Sequence, residues 1–299
     1  MYMKRIDDHL HIAYDGLDGK APNGMNFADG AKMKAWMNQN DVVHGIILSG
    51  GEYSSTMGVA GSCNMDVCAL AKKYPETFSW MCMVDADQPE KLDERLAEYK
   101  AMGAVGVGEF AANYWINDEK IQNVFAACER QKMPILFHMS PKQGYNYGIA
   151  DEPGLPQLER ALQKFPNLKL IAHSQPFWYE IGGEVPGDFE SRNNYPTGPI
   201  KPGGRVPELL RKYPNLYGDL SANSAGNAII RDPEFGVKFL TEFQDKLMFG
   251  TDMCNDRMYF PLADFIETAV TDGRLAQEAA KKIFYQNAIR ILDLKNVQV

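Results

Sequence analysis

Four of the chain's five histidines, His9, His11, His138 and His173, stand at the C-terminal ends of apolar, β-rich segments. Glu109 and Asp252 stand at the ends of two more. Histidines scattered through a core would not share that placement. If the segments are strands of one closed sheet, these six side chains face a common mouth, and imidazole nitrogens and carboxylate oxygens with room for water are what a catalytic zinc or manganese site requires. The tightest pair is in Ile6-Asp7-Asp8-His9-Leu10-His11, where side chains on a strand alternate between faces. Asp7, His9 and His11 are therefore expected on one face, Asp8 and Leu10 on the other. A His-x-His pair alone is unspecific, and its weight comes from the other four positions. The fifth histidine, His44, lies inside its segment and is expected to be structural.

The elements that must position these groups recur along the whole chain. They are residues 4–12, 42–48, 78–84, 104–110, 134–138, 168–173, 216–221 and 246–252, and their near-continuous hydrophobicity suits strands buried on both faces of a parallel sheet. Helical stretches lie between them. Asp87-Gln88-Pro89-Glu90 has the form of a helix start, and Asn117 can cap a helix with Ile121, Val124, Phe125 and Cys128 on one stripe. Eight strands alternating with helices predict an α/β fold, a single-domain (β/α)8 TIM barrel. No Gly-x-Gly-x-x-Gly follows the first strand and no P-loop occurs, which weakens an open nucleotide-binding sheet as the rival. Long connections follow the second, fifth and sixth strands, at residues 51–62, 139–155 and 174–203. In a barrel they cover the C-terminal face and are candidate substrate walls. Trp178, Arg192, Arg205 and Arg257 are the candidate substrate contacts there, with Lys201 a further loop cation.

Composition narrows the partners. With 299 residues, 45% hydrophobic and 23% charged, the chain is an ordinary globular protein, and its net charge of −8 argues against a nucleic-acid surface. No apolar run has the length of a signal peptide or membrane span, so a cytoplasmic protein without membrane contact is expected. The five cysteines, Cys63, Cys68, Cys82, Cys128 and Cys254, include no Cys-x-x-Cys pair and read as reduced thiols. A small molecule is the expected partner.

Taken together, Ile6-Asp7-Asp8-His9-Leu10-His11, Ile135-Leu136-Phe137-His138, the run from Phe165 to Ser174, the run from Tyr213 to Ser221, Phe249-Gly250-Thr251-Asp252 and the closing Asn287-Ala288-Ile289-Arg290-Ile291-Leu292 resemble the amidohydrolase superfamily. The likeness is greatest to the amidohydrolase-related branch that includes the aminocarboxymuconate-semialdehyde and resorcylate decarboxylases. It implies that His9, His11, His138 and Asp252 surround a divalent metal, usually zinc, with His173 as a catalytic histidine that is not a ligand. Glu109 stands where related two-metal members, such as the TatD-like deoxyribonucleases, carry a bridging Glu. One ion is the expectation, two are possible, and manganese or iron would also suit the ligands. A homodimer is common in the branch.

The chemistry expected first is hydrolysis of an amide, lactone or ester bond by metal-activated water, with Asp252 taking the proton and His173 assisting the leaving group. The alternative is non-oxidative decarboxylation of a small aromatic or unsaturated acid at the same centre, which needs a loop cation for the carboxylate. A metal-stabilised binding protein without turnover comes last, because structural zinc sites are usually closed and rich in Cys. Asp219 and Ser221, at the end of the seventh strand, either line the pocket or cap a following helix.

Overall fold

A computed structural model describes residues 3–16, 19–21, 24–295 and 297–299. Its parallel strands are β1 (Arg5–Leu10), β2 (Val42–Leu48), β3 (Phe78–Cys82), β4 (Ala104–Phe110), β5 (Ile135–Ser140), β6 (Leu170–His173), β7 (Leu216–Asp219) and β8 (Leu247–Met248), each hydrogen-bonded to the next. The last strand returns to the first. A parallel bridge joins Leu10 to Met253, the Asp8 amide donates to the Phe249 carbonyl and the His11 amide to the Met253 carbonyl, both at 3.0 Å, and the Asp252 amide donates to the His9 carbonyl at 2.9 Å. The chain is a (β/α)8 barrel, and a two-residue strand, Ile149–Ala150, pairs in parallel with Met139 and Ser140 at the end of β5.

Strand periodicity divides the core. Ile6, Ile46, Leu48, Met81, Leu136, Ile171, Tyr217 and Met248 form one cluster inside the barrel, closed from below by Ala288, Ile291, Leu292 and Leu294 of the C-terminal segment. The alternate residues, such as Ile47, Phe137, Ala172 and Leu247, join the larger cluster beneath the outer helices. The helix Glu119–Gln131 is typical of these, burying Ile121, Val124, Phe125, Ala127 and Cys128 against the sheet. Two residues above Leu136 comes His138, and two above Ile171 comes His173. The pairs Leu136–Ile171 and His138–His173 lie level across β5 and β6, so both imidazoles ride directly over the apolar layer.

The first strand departs from simple alternation. Asp7 pairs with Gly45 but Leu10 with Ile47, so three steps of β1 span two of β2, the signature of a β-bulge. β4 does the same just before Glu109: Val107 pairs with Ile135 and Phe110 with Phe137. The bulge corrects the expected faces. Asp7 does not join the histidines; its carboxylate accepts from the His9 and Thr251 amides and the Thr251 hydroxyl. Asp8 points into the barrel beneath them instead. A side chain added at Gly250 would strike the Asp8 carboxylate and then Asp219 and His9, so only glycine leaves space for the layer.

The five cysteines are free thiols. Among the described residues no helix is long and apolar enough to cross a membrane.

Candidate metal centre

Strand ends β1, β4, β5 and β6 and the turn after β8 deliver one cluster. The His9 and His11 Nε2 atoms lie 3.1 Å apart, and Glu109 Oε2 lies 3.2 Å from His11 Nε2 and 3.7 Å from His9 Nε2. Asp252 Oδ1 is 3.4 Å from both. The other Glu109 oxygen faces the opposite pair, 2.7 Å from His138 Nδ1 and 3.9 Å from His173 Nε2. His9, His11 and Glu109 form one trio spaced as metal ligands, His9, His173 and Asp252 a second, and Glu109, His138 and His173 a third. Asp252, with φ at +57°, is the open edge: its side chain is 28% exposed, whereas that of His9 is wholly buried.

A buried carboxylate stands behind two of the rings. Asp219 Oδ2 accepts from His9 Nδ1 at 2.7 Å and lies 3.2 Å from His173 Nδ1, and the Ser221 hydroxyl donates to Asp219 while touching both rings, at 3.1 and 2.8 Å. A carboxylate accepting at Nδ1 keeps the proton there and leaves Nε2 as a lone pair aimed at the cluster. Asp219 and Ser221 are thus orienting groups, a role their sequence positions left open between pocket lining and helix capping. His44 bonds the Glu76 carbonyl and the Ser79 hydroxyl, as a structural histidine does.

The charges reveal what the cluster is built to hold. Burial alone would make His9 less basic, yet Asp252 and Asp219 lift its pKa well above the ordinary imidazole range. Burial pushes the Glu109 carboxyl up, but His138, His11 and His9 pull it well below the usual range. Asp219 is likewise held low by His9 and His173 against its burial. Burial lowers His138, opposed by Glu109. Asp8 goes the other way, raised well above the carboxylate range by burial and by neighbouring Asp219. Its two oxygens are buried and unpartnered among the described residues, as is His11 Nδ1. The two Nε2 atoms, 3.1 Å apart and ringed by carboxylate oxygens, call for a positive centre between them, and the raised basicity of His9 is the same demand expressed towards a proton. The donor set of imidazoles and carboxylates therefore fits a divalent cation.

The loop residues fare differently. Trp178 is buried behind β7, its indole donating to the Asp219 carbonyl at 3.0 Å, and is 1% exposed. Arg192 is fully buried, bound to Glu180 and to the Pro141 and Asp151 carbonyls. These two expectations of substrate contact are corrected: the side chains tie the long loops to the barrel, and solvent does not reach them. Arg205 is bound to Glu159 and the Gly154 carbonyl, pinning a helix start. Lys201 and Arg257 are exposed. Arg257 borders an open cavity of about 430 Å³ with Asn26, Asp29, Lys32 and Asn255, which contains none of the six clustered residues.

The family model for amidohydrolases matches residues 56–294. The chain belongs to the amidohydrolase family. No functionally curated protein matches it. Among solved structures, an amidohydrolase from Burkholderia multivorans with bound zinc is similar at 16% identity and a TM-score of 0.63, over 98% of this chain and 100% of that one. A probable 2-pyrone-4,6-dicarboxylic acid hydrolase from Acinetobacter baumannii, with citric acid bound, has 16% identity and a TM-score of 0.61 over 98% and 100%. The 5-carboxyvanillate decarboxylase of Novosphingobium aromaticivorans, complexed with manganese and a nitrobenzoic acid, has 15% identity and a TM-score of 0.59 over 98% and 96%. At such identities these amidohydrolase-like barrels testify to the fold. They include both a hydrolase and a decarboxylase, and both zinc and manganese.

Proposed function

We propose that this amidohydrolase is a metal-dependent hydrolase of an amide, lactone or ester bond in a small molecule. The observation that carries the reading is Glu109, one oxygen on the His9–His11 pair and the other on the His138–His173 pair, beside the open carboxylate of Asp252. His9, His11, His138, Glu109 and Asp252 would hold zinc as the first choice, with manganese or iron also compatible. A bound divalent ion supplies a Lewis acid and a water acidic enough to be deprotonated near neutral pH.

The chain's own groups account for the rest. Asp252, the exposed member, accepts a proton from the attacking water as the oxygen bonds to the carbonyl carbon. Its Oδ2 is 3.8 Å from His173 Nε2, which Asp219 and Ser221 present as a lone pair, so the proton passes to that nitrogen. The imidazolium so formed faces the Asp219 carboxylate, is stabilised by it, and returns the proton to the departing nitrogen or oxygen as the bond to the carbonyl breaks. With a second ion, His173 would be a ligand instead, the role that Glu109's double orientation permits.

Decarboxylation needs a cation for the substrate carboxylate; Arg192 and Arg205 are already bound within the protein, which leaves Lys201 and Arg257 as the exposed loop cations. With two of the four committed elsewhere, hydrolysis stays the first reading. The test is purified, metal-loaded protein incubated with panels of lactones, amides and hydroxybenzoates, with acid release, carbon dioxide and metal content per chain followed separately. Acid release is expected; carbon dioxide from a hydroxybenzoate without lactone turnover reverses the order.

A further inference from the structure

One exposed aromatic residue beside the cluster is held with unusual care. Tyr147, in the loop after β5, lays its ring 4.4 Å from the His138 imidazole at 49°, yet remains 58% exposed. An aromatic ring whose burial is not complete gains little from a fixed position, so something else must hold it there. The backbone does. Gly148 has φ +105°, and a Cβ there would lie 2.8 Å from the His138 ring and 2.9 Å from its carbonyl, so both conformation and space demand glycine. The Gly148 amide donates to the Ala111 carbonyl at 2.8 Å, and its carbonyl accepts from the Asn113 side-chain Nδ2 at 2.8 Å. Asn113 also accepts from the Gly144 amide, and Ile149–Ala150 is paired with β5. Both sides of Tyr147 are therefore fastened to the rim.

The phenol lies within electrostatic reach of Glu109 and Asp252, and its hydroxyl makes no hydrogen bond to any described residue. Nearby Tyr195, by contrast, accepts from Gln175. A fixed ring that ends in an uncommitted donor beside a cluster of cation ligands has the geometry of a ligand contact.

We propose that Tyr147 is the substrate-positioning residue of the centre: its hydroxyl donates to an oxygen of the ligand, a carboxylate or carbonyl, and its ring covers the outer face of His138. This rests on reading the cluster as a metal centre, and it deepens that reading by requiring an oxygen acceptor on the substrate next to the reacting carbonyl. The ring and the hydroxyl have separable duties. The first slows access to His138, and the second selects for the acceptor.

The full-length protein loaded with Co(II) is titrated with acetate, following the visible absorption bands, and its metal loss to a chelator is timed. Tyr147→Phe keeps the ring and is expected to weaken acetate about tenfold, the loss of one hydrogen bond to a charged acceptor, with the rate of metal loss unchanged. Tyr147→Ala is expected to lose acetate affinity equally and to release metal several-fold faster. Tyr145→Phe, two residues away, serves as the control and should match the parent. Acetate affinity in Tyr147→Phe within twofold of the parent overturns the proposal, as does an equal loss in Tyr145→Phe. Failure to take up Co(II) overturns it together with the functional reading. Weakened acetate binding in a protein that hydrolyses nothing in the panels leaves Tyr147 in place and removes only the hydrolase assignment.

Discussion

The inside of the barrel has two layers made from the same strands. In the lower one Leu136, Ile171, Met248 and their neighbours pack against the C-terminal residues Ile291 and Leu292. Two residues higher, His138 and His173 meet Glu109, Asp252 and the β1 histidines. Below, burial of apolar surface stabilises the fold with no demand on charge. Above, buried acids and imidazoles lose hydration and are tolerable because most face an opposite partner, while Asp8, which does not, is pushed towards its neutral form by burial and by Asp219. A barrel can therefore carry a costly polar rim because a cheap apolar floor lies beneath it, and substitutions in the two layers should fail in different ways.

The sharpest contrast pairs Asp252→Asn with Leu136→Ala. The first is expected to lower kcat/KM by about 10²–10⁴-fold, the usual contribution of a positioned proton acceptor, with little change in denaturant midpoint. The second is expected to cost about 2–5 kcal/mol of stability while the folded fraction turns over substrate within a few-fold of the parent. Unchanged turnover in Asp252→Asn removes it from the base role, and a dead but stable Leu136→Ala erases the distinction between layers.

Asp219 sharpens the comparison, because it belongs to the rim yet acts only through the His9 and His173 rings in front of it. Asp219→Asn should weaken metal binding by roughly 10–100-fold, as loss of an acceptor behind a ligating imidazole does, and chelator competition measures it. Ser221→Ala should have a smaller effect in the same direction. Equal affinity in Asp219→Asn would mean the rings orient themselves.

The effect confined to the narrowest pH range is expected from a buried carboxyl to whose shift no imidazole contributes. Asp151 accepts from the Glu152, Gln157 and Leu158 amides, but burial outweighs these bonds and raises its pKa to about 7. A carboxyl whose folded value exceeds its unfolded value of 3.8 binds its proton more tightly when folded. It therefore subtracts stability as pH rises from about 4 to about 7 and changes nothing further above that window. Asp151→Asn should lose about 1 kcal/mol at low pH from the bond to Leu158 and flatten that segment of the stability curve. A variant curve parallel to the parent's between these pH values would rule the effect out.

Much of this was legible in the chain. The barrel follows from eight doubly buried apolar runs, and the clustering of His9, His11, His138, His173, Glu109 and Asp252 follows from their shared position at strand ends. Where local rules broke, a long-range cause is visible. The alternation on β1 misplaced Asp7 and Asp8 because a bulge is set by register against β2, which no property of β1 alone encodes. Trp178 and Arg192 sit in a Gly- and Pro-rich loop that reads as solvent-facing; their burial depends on Asp219, Pro141 and Asp151, all outside that loop in sequence. The helix expected from Asp87 begins at Leu92 instead, after Lys91 in the left-handed region, and Asp87 is taken up by Tyr114 and Lys120. Asp118, one residue past Asn117, caps the next helix. Tyr147 gave no signal beyond the glycine that follows it.

The plug of Ala288, Ile291, Leu292 and Leu294 closes the cylinder at its base. The barrel is thus a blind cup rather than a tunnel: a molecule that descends to the histidines has no exit ahead of it, and what is made there must back out along the path by which the reactant arrived. Departure and arrival compete for a single doorway, so an accumulating product obstructs the next turnover by simple occupancy.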